Sequence, residues 1–329
     1  MYFLLLILLI ILFFLNLFEG SADIPLQEIF NVLLNNSDNE IYNVIILENR
    51  LPQSITAIVS GAALAVSGLI MQTVFSNPLA GPSVLGISSF SSLGVAVVTF
   101  LFSSVFMSYN STFSVVLGSL LGSGAVLVLL VFISGFIKQN LTLLVVGMML
   151  SYISGALITV LNFFGTEQSV KNFTVWSMGT FAGVGLEDLF FFGIIVLVFV
   201  MSSFLLIKPL NLLLLGENYA QNLGLNISRS KTILLLVSGV LTSIVTAYCG
   251  PIAFIGLAVP HIARLMAKTS NHTKVLPLCV FVGAVIALAC NLLCVMHGSR
   301  GILPLNAVTP IFGVPVIVWI LAGKHRLKL

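Results

Sequence analysis

Val126-Leu127-Val128-Leu129-Leu130-Val131-Phe132 is an unbroken apolar run, and Ile194-Ile195-Val196-Leu197-Val198-Phe199-Val200 is another. A membrane β-strand would alternate polar and apolar residues over ~10-residue segments. Continuous runs embedded in longer apolar stretches belong instead to helices, which need about 20 apolar residues to cross a bilayer. Composition agrees: of 329 residues, 59% are hydrophobic and 7% charged, and the 27 glycines suit membrane helices. A soluble domain is ~25% charged, and a mean hydropathy of +1.18 leaves too little polar surface for a water-borne monomer. A soluble enzyme is excluded, and an all-α polytopic membrane protein is expected.

Polar breaks outline about ten spans, near 1–18, 50–74, 84–107, 113–136, 141–164, 189–207, 231–248, 250–266, 276–296 and 305–323. Residues 1–18 lack a basic leader and a small-residue cleavage site, so they read as a retained first span. The connections 19–49 and 208–230 are long and polar, and 166–188 reads as an interfacial helix or a re-entrant turn. No separate soluble domain interrupts 1–329, which is expected to form a single transmembrane domain. With both termini cytoplasmic, Lys138, Lys208, Arg229, Lys231, Arg264, Lys268, Lys274, Lys324, Arg326 and Lys328 fall inside, against Arg50, Lys171 and Arg300 outside. Every acid except Glu217 then lies outside. Retention of positive charge in cytoplasmic loops supports this topology. The basic residues are dispersed, with no nucleic-acid platform, and the four cysteines sit in or beside apolar stretches, implying no disulfide framework.

No phosphate-binding loop, H-E-x-x-H pair or intramembrane carboxylate pair is present, so no catalytic residue, resident metal or cofactor is expected. Ion-coupled carriers need ionisable groups within the membrane, and none lies in the middle third of any span. Energy is expected from an ATP-hydrolysing partner; an ATP-independent carrier or channel, and a non-transporting receptor, are the alternatives.

Three polar stretches stand out. Asn77-Pro78-Leu79-Ala80-Gly81-Pro82 must stop the second span and turn, because proline lacks an amide donor and restricts the residue before it. It reads as a rigid gate or as an ordinary interhelical turn. Glu217-Asn218-Tyr219-Ala220-Gln221-Asn222-Leu223-Gly224 has Tyr219, Ala220 and Leu223 at helical spacing with a terminating glycine. It reads as a docking helix for a cytoplasmic partner or as a helix lying in the lipid interface. Gly250-Pro251, Gly256 and Pro260-His261-Ile262-Ala263-Arg264 break a membrane helix, which is tolerated where backbone is buried in protein or lines a cavity. His261 is expected to bond the carbonyls freed near Pro260, with a ligand or proton-carrying role as the alternative.

Together these stretches resemble the integral-membrane permeases of type II ABC importers, the FecCD/BtuC-like family that takes up iron–siderophore complexes, haem and cobalamin. Arg50-Leu51-Pro52, Gly61-Ala62-Ala63-Leu64-Ala65, Ser67-Gly68 and Gln72 resemble the family's second-span signature, and Ile302-Leu303-Pro304-Leu305 with Gly313-Val314-Pro315 its C-terminal one. The resemblance implies ten-span subunits paired as a homodimer (or with a paralogous permease), two cytoplasmic ATPase subunits, and an extracytoplasmic binding protein. The setting would be the cytoplasmic membrane of a bacterium. It assigns Asn77, Pro78 and Leu79, with Asn140 and Leu141, to a cytoplasmic gate. Glu217, Ala220, Leu223 and Gly224 are assigned to ATPase coupling. Arg50 matches a rim arginine that docks the binding protein; Arg300, on the same outer face, is a positional substitute for a second rim arginine missing at its usual place.

Gly118/Gly122 and Gly61/Ala65 have the four-residue spacing of close helix packing, within one subunit or across a dimer. Cys290, Cys294 and His297 share a helical face, as ligands of a soft metal or haem or as buried cysteines beside a headgroup-level histidine.

Overall fold

The structure is a computed structural model that describes residues 1–20, 22–34, 36–37, 39–101, 111–137, 139–296 and 301–323. Arg300, His297, Lys138 and the three C-terminal basic residues lie outside the described residues. Helices α1 (Tyr2–Phe18) and α2 (Leu26–Leu33) precede α3 (Glu40–Val74), and α4 (Ile87–Leu101), α5 (Ser111–Ser134) and α6 (Asn140–Phe164) follow. The short α7 (Glu167–Ser177) leads to α8 (Leu186–Leu205), α9 (Ile207–Leu213) and α10 (Glu217–Asn222). The chain then continues through α11 (Ile227–Cys249), α12 (Ile255–Ala267), α13 (His272–Val295) and α14 (Leu305–Gly323). No strand occurs among the described residues.

Helices α3, α5, α6, α8, α11 and α13 are each long and apolar enough to cross a membrane, and α1, α4, α12 and α14 are shorter apolar helices. Each overlaps one of the ten stretches read from sequence, six of them with helices of spanning length; α3 begins at Glu40, well before the expected residue 50. Residues 166–188 resolve into α7, N-capped by Thr166 accepting from the Ser169 amide, and a following turn.

The hub is α3. At 1.5 Å per residue its 35 residues run about 50 Å, beyond the ~30 Å hydrocarbon thickness. Val44–Arg50 is wound as a π-helix, the Leu51 amide reaching back to the Ile46 carbonyl. The wider turn accommodates Pro52, whose ring in a regular helix would clash with the Glu48 carbonyl and which has no amide to give it. Beyond it, Ser60 to Val74 is buried without interruption.

Small residues make that possible. A Cβ on Gly61 would land on the Gly283 carbonyl of α13, and a Cβ on Gly68 would land on the Gly256 carbonyl of α12. That second carbonyl is left free by Pro260, four residues on, and its place is against the Gly68 backbone. Ser67 Oγ is 2.8 Å from the Ser238 carbonyl and 2.7 Å from Thr242 Oγ1 on α11. Gln53 of α3 donates to Asn291 of α13 at 2.9 Å, and Asn291 donates to Asn16 of α1 at 2.8 Å. Gly118 and Gly122 meet the α4 backbone at Gly94 and Phe90, so both small-residue pairs pack within the chain.

Gly61→Val should therefore separate α3 from α13 and lower stability by about 1–3 kcal/mol, the usual cost of overpacking. Gly124→Ala, with nothing within 4 Å of the added carbon, should shift it by less than about 0.5 kcal/mol. Thermal midpoints of the detergent-solubilised protein compare the two; equal midpoints would remove α3 as the tight seam.

Candidate functional site

The turn after α3 is built from local hydrogen bonds. Ser76, at φ 47, leaves the helix. Asn77 Oδ1 accepts from the Leu79 amide at 2.9 Å, the Asn77 carbonyl from the Ala80 amide at 3.1 Å, and the Gly81 carbonyl from the Val84 amide at 3.1 Å. Ala80 is buried while Leu79 is 41% exposed, so the turn presents one apolar side chain at its tip. Gly86, at φ 81, starts α4 where a Cβ would be 3.1 Å from the Gly147 carbonyl of α6. An L side chain is disfavoured there by backbone angle and by space alike.

Helix α12 clamps this turn. His261 Nε2 donates to the Pro78 carbonyl at 2.8 Å, a partner that lies across the fold, on the turn, and that the expectation of a bond near Pro260 did not include. One helical turn further on, Arg264 donates to Gln72 Oε1 at 2.6 Å, while Gln72 Nε2 donates to the Leu257 carbonyl at 3.0 Å. The last turn of α3 is thereby tied to α12 at two points. Next to it, His272 is buried between Thr73 Oγ1 at 2.9 Å and Asn211 Oδ1 at 3.0 Å. The break before α12 is also satisfied. Asn306 donates to the Pro251 carbonyl at 2.6 Å and accepts from the Ala253 amide at 3.2 Å, so the irregular stretch from Gly250 is held by protein, as such stretches in membrane proteins must be.

A second group gathers residues that are far apart in sequence. Asn140, the first residue of α6, donates through Nδ2 to Glu217 Oε1 at 2.5 Å and accepts through Oδ1 from Lys231 Nζ at 2.7 Å. Lys231 is also 2.7 Å from Glu217, both side chains being partly screened from solvent at 13% and 33% exposure. Asn140 was expected at the gate and Glu217 in the docking helix; the structure brings them into contact, and its amide is engaged rather than open. Leu141 is 68% exposed. A cavity of about 630 Å³ adjoins the triad, lined among others by Gly135, Gln221 and Asn226.

Helix α10 has the geometry of a knob. It is entered through Gly216 at φ 97 and left through Gly224 at φ 88. Its C-terminus is closed by a double bond, Gly224 amide to Gln221 carbonyl at 2.9 Å and Leu225 amide to Ala220 carbonyl at 3.0 Å, the Schellman arrangement. Ala220 is fully buried, while Tyr219 and Leu223 stand 65% and 57% exposed.

Arg50 departs from expectation. It is 6% exposed, and its guanidinium donates to the carbonyls of Leu17 at 2.8 Å, Phe18 at 2.9 Å and Ala22 at 2.5 Å. Two of these are terminal carbonyls of α1 with no intrahelical partner, and the negative end of that helix suits a cation. Gly20 leaves the space, since a Cβ there would strike the guanidinium. Arg50 is thus a buried cap on α1 rather than an open rim charge. Cys290 and Cys294 are buried and unpaired by disulfide, and no metal-holding group of His, Cys, Asp or Glu occurs among the described residues.

A polytopic helical membrane protein with a braced proline turn and a short protruding helix is the class that these features define. The chain matches the FecCD transport family over residues 8–323. It is 35% identical over 314 residues to the hemin transport system permease protein HmuU of Yersinia pestis, covering 93% of this chain and 92% of that one. To the vitamin B12 import system permease protein BtuC of Klebsiella pneumoniae it is 35% identical over 275 residues, covering 83% and 80%. A solved ABC transporter of metal-chelate type in an inward-facing conformation superposes with a TM-score of 0.84 at 29% identity, covering 98% of each chain. The chain belongs to the FecCD family and is a multi-pass membrane permease subunit of a type II ABC importer.

Neither Lys231 nor Asn306 was singled out from sequence as a site residue, because nothing local marks a lysine or asparagine whose partners lie tens of residues away. Removing the His261 donor leaves a partly buried carbonyl unpaired, at about 1–3 kcal/mol. His261→Ala should therefore loosen the turn and speed the labelling of a Leu79→Cys reporter by a membrane-impermeant maleimide; an unaltered rate would show that the bond does not hold the turn.

Proposed function

We propose that this chain moves an iron(III)–siderophore complex into the cytoplasm as one half of a ten-span homodimer, powered by two ATPase subunits and supplied by an extracytoplasmic binding protein. The observation that carries the reading is helix α10, whose exposed Tyr219 and Leu223 stand on a buried Ala220 anchor and whose Glu217 touches α6. A short helix that exposes two neighbouring apolar side chains and is pinned by glycines at both ends is a fit for a groove on a partner. Both termini are placed on the cytoplasmic side of a bacterial inner membrane, as the distribution of Lys and Arg supports. Residues 1–329 act as a single permease domain, and ATP is hydrolysed by the partner alone.

The turn at Asn77, Pro78 and Leu79, with Asn140 and Leu141 at the start of α6, forms the cytoplasmic gate in this reading. Its walls offer amides and apolar groups without fixed charge, so that a bulky chelate passes without being trapped. The 35% identities to a hemin permease and to a vitamin B12 permease support haem and cobalamin alike as alternative cargoes.

Two measurements test this. Proteoliposomes holding the chain, its ATPase and its binding protein should accumulate iron-55 hydroxamate siderophore with ATP, and accumulate none when the ATPase is left out. Haem or cobalamin taken up in its place selects that alternative cargo, and uphill uptake by the chain alone overturns the ABC reading. Replacing Tyr219 and Leu223 by Ala together should weaken ATPase co-purification at least about tenfold, as for loss of central apolar anchors; undiminished recovery would move the coupling contact elsewhere.

A further inference from the structure

An amide side chain such as asparagine can donate to a carboxylate and accept from an ammonium at the same time. Asn140 does both, and the charges fix its orientation: a flipped amide would set its NH2 against Lys231 and its oxygen against Glu217. The three side chains close a ring in which each touches the other two. They come from three separate elements, α6, α10 and α11, so displacement of one must be followed by the others or break the ring. The connection then continues. Gly147, two turns along α6, lies so close to Leu85 that a Cβ there would be 2.8 Å from the Leu85 Cα, and Ser154 donates to the Ser89 carbonyl at 2.7 Å. Helix α6 is therefore keyed to the exit of the Asn77–Gly86 turn.

We infer that Asn140, Glu217 and Lys231 form a relay that transmits movement of α10 through α6 to the turn at Leu79, with Asn140 as the positioning residue that joins the docking helix to the gate. This rests on the permease reading above. It differs from a role in which Glu217 faces the ATPase directly, because here the carboxylate acts on its own chain. The contiguous path is packed backbone and hydrogen-bonded side chains throughout, the kind of network that carries coupling between distant sites.

Charge relocation separates the two roles. Asn140→Asp keeps the shape but sets a carboxylate against Glu217. Adding Glu217→Gln restores a donor facing an acceptor, leaves Lys231 its anion, and returns the ring to neutrality. The measurement is the change on adding Mg-ATP in the rate at which Leu79→Cys reacts with an impermeant maleimide, in the chain assembled with its ATPase; it needs no knowledge of the cargo. The native cysteines, all at most 3% exposed, are poor competitors. Asn140→Asp and Glu217→Gln alone should each cut the ATP response about fivefold, the lower range of allosteric coupling, and the pair should recover it to within about twofold. An undiminished response in Asn140→Asp, or a pair no better than its worse member, overturns the relay and leaves the permease assignment standing. A parent protein with no ATP response at Leu79→Cys overturns the placing of the gate at that turn, and the relay with it.

Discussion

Close approach of backbones along one face of α3 is the constraint on which the functional end depends. Lipid tails are as apolar as leucine, so helices in a bilayer are held by packing and hydrogen bonds more than by hydrophobic burial. Gly61 and Ala65 let α13 close, and Gly68 lets α12 close against the Gly256 carbonyl. Only at that separation can Gln72 reach both the Leu257 carbonyl and Arg264, and only then does His261 meet Pro78. The geometry of the turn is downstream of a missing methyl two helical turns away. A stripe of larger apolar residues would keep α3 in the membrane but set the turn adrift from the element that fixes it.

The two ends of the antiparallel α3–α11 pair handle charge in different ways. At one end Arg50 is enclosed by three carbonyls and gives up its surface position to cap α1. A lone buried guanidinium would be costly; paired with carbonyls that have no helical partner, it resolves two unsatisfied ends together. At the other end Glu217 and Lys231 keep partial contact with water, and an ion pair so placed is worth on the order of 0.2–1 kcal/mol. That is too little to lock a conformation and enough to bias one, which is what a moving joint requires. The rigid clamp and the labile one thus sit at opposite ends of the same helical framework.

How much of this could be read in the sequence follows the same division between local and distant. Helix positions depend on runs of neighbouring residues, and the apolar stretches coincide with apolar helices from α1 to α14. Gly250 and Pro251 announced a broken helix, and the break is there between α11 and α12, whereas Gly256 and Pro260, read the same way, lie inside α12, which runs through them. Gly224 announced the end of α10 and closes it. What stayed hidden is every contact whose partner is far along the chain: His261 with Pro78, 183 residues away, and Asn140 with Glu217, 77 away. Arg50 shows the limit most plainly. An arginine near the end of an apolar stretch looks the same in sequence whether it faces water or a ring of carbonyls, and the Gly20 that makes room for it carries no pattern of its own.

Helix α12 brings the two kinds of information together. Thirteen residues span about 20 Å, short of the ~30 Å core, and both ends turn through left-handed residues that are not glycine: Phe254 at φ 67 and Lys268 at φ 51. For a bulky side chain such angles cost roughly 1–3 kcal/mol and persist only where neighbours over-determine them. At Phe254 the neighbours are visible: Gly313 of α14 is so close that a Cβ there would be 2.6 Å from the Phe254 Cβ, and Asn306 holds the chain at Pro251 and Ala253. One end of α12 is therefore pinned to α14, while its middle is bonded to the turn after α3. A short helix fixed at a strained pivot and tied to the turn from the side is a stiff strut. It resists deformation of the turn from one direction while α6, keyed to the other side through Gly86 and Gly147, is the direction from which the turn can be driven.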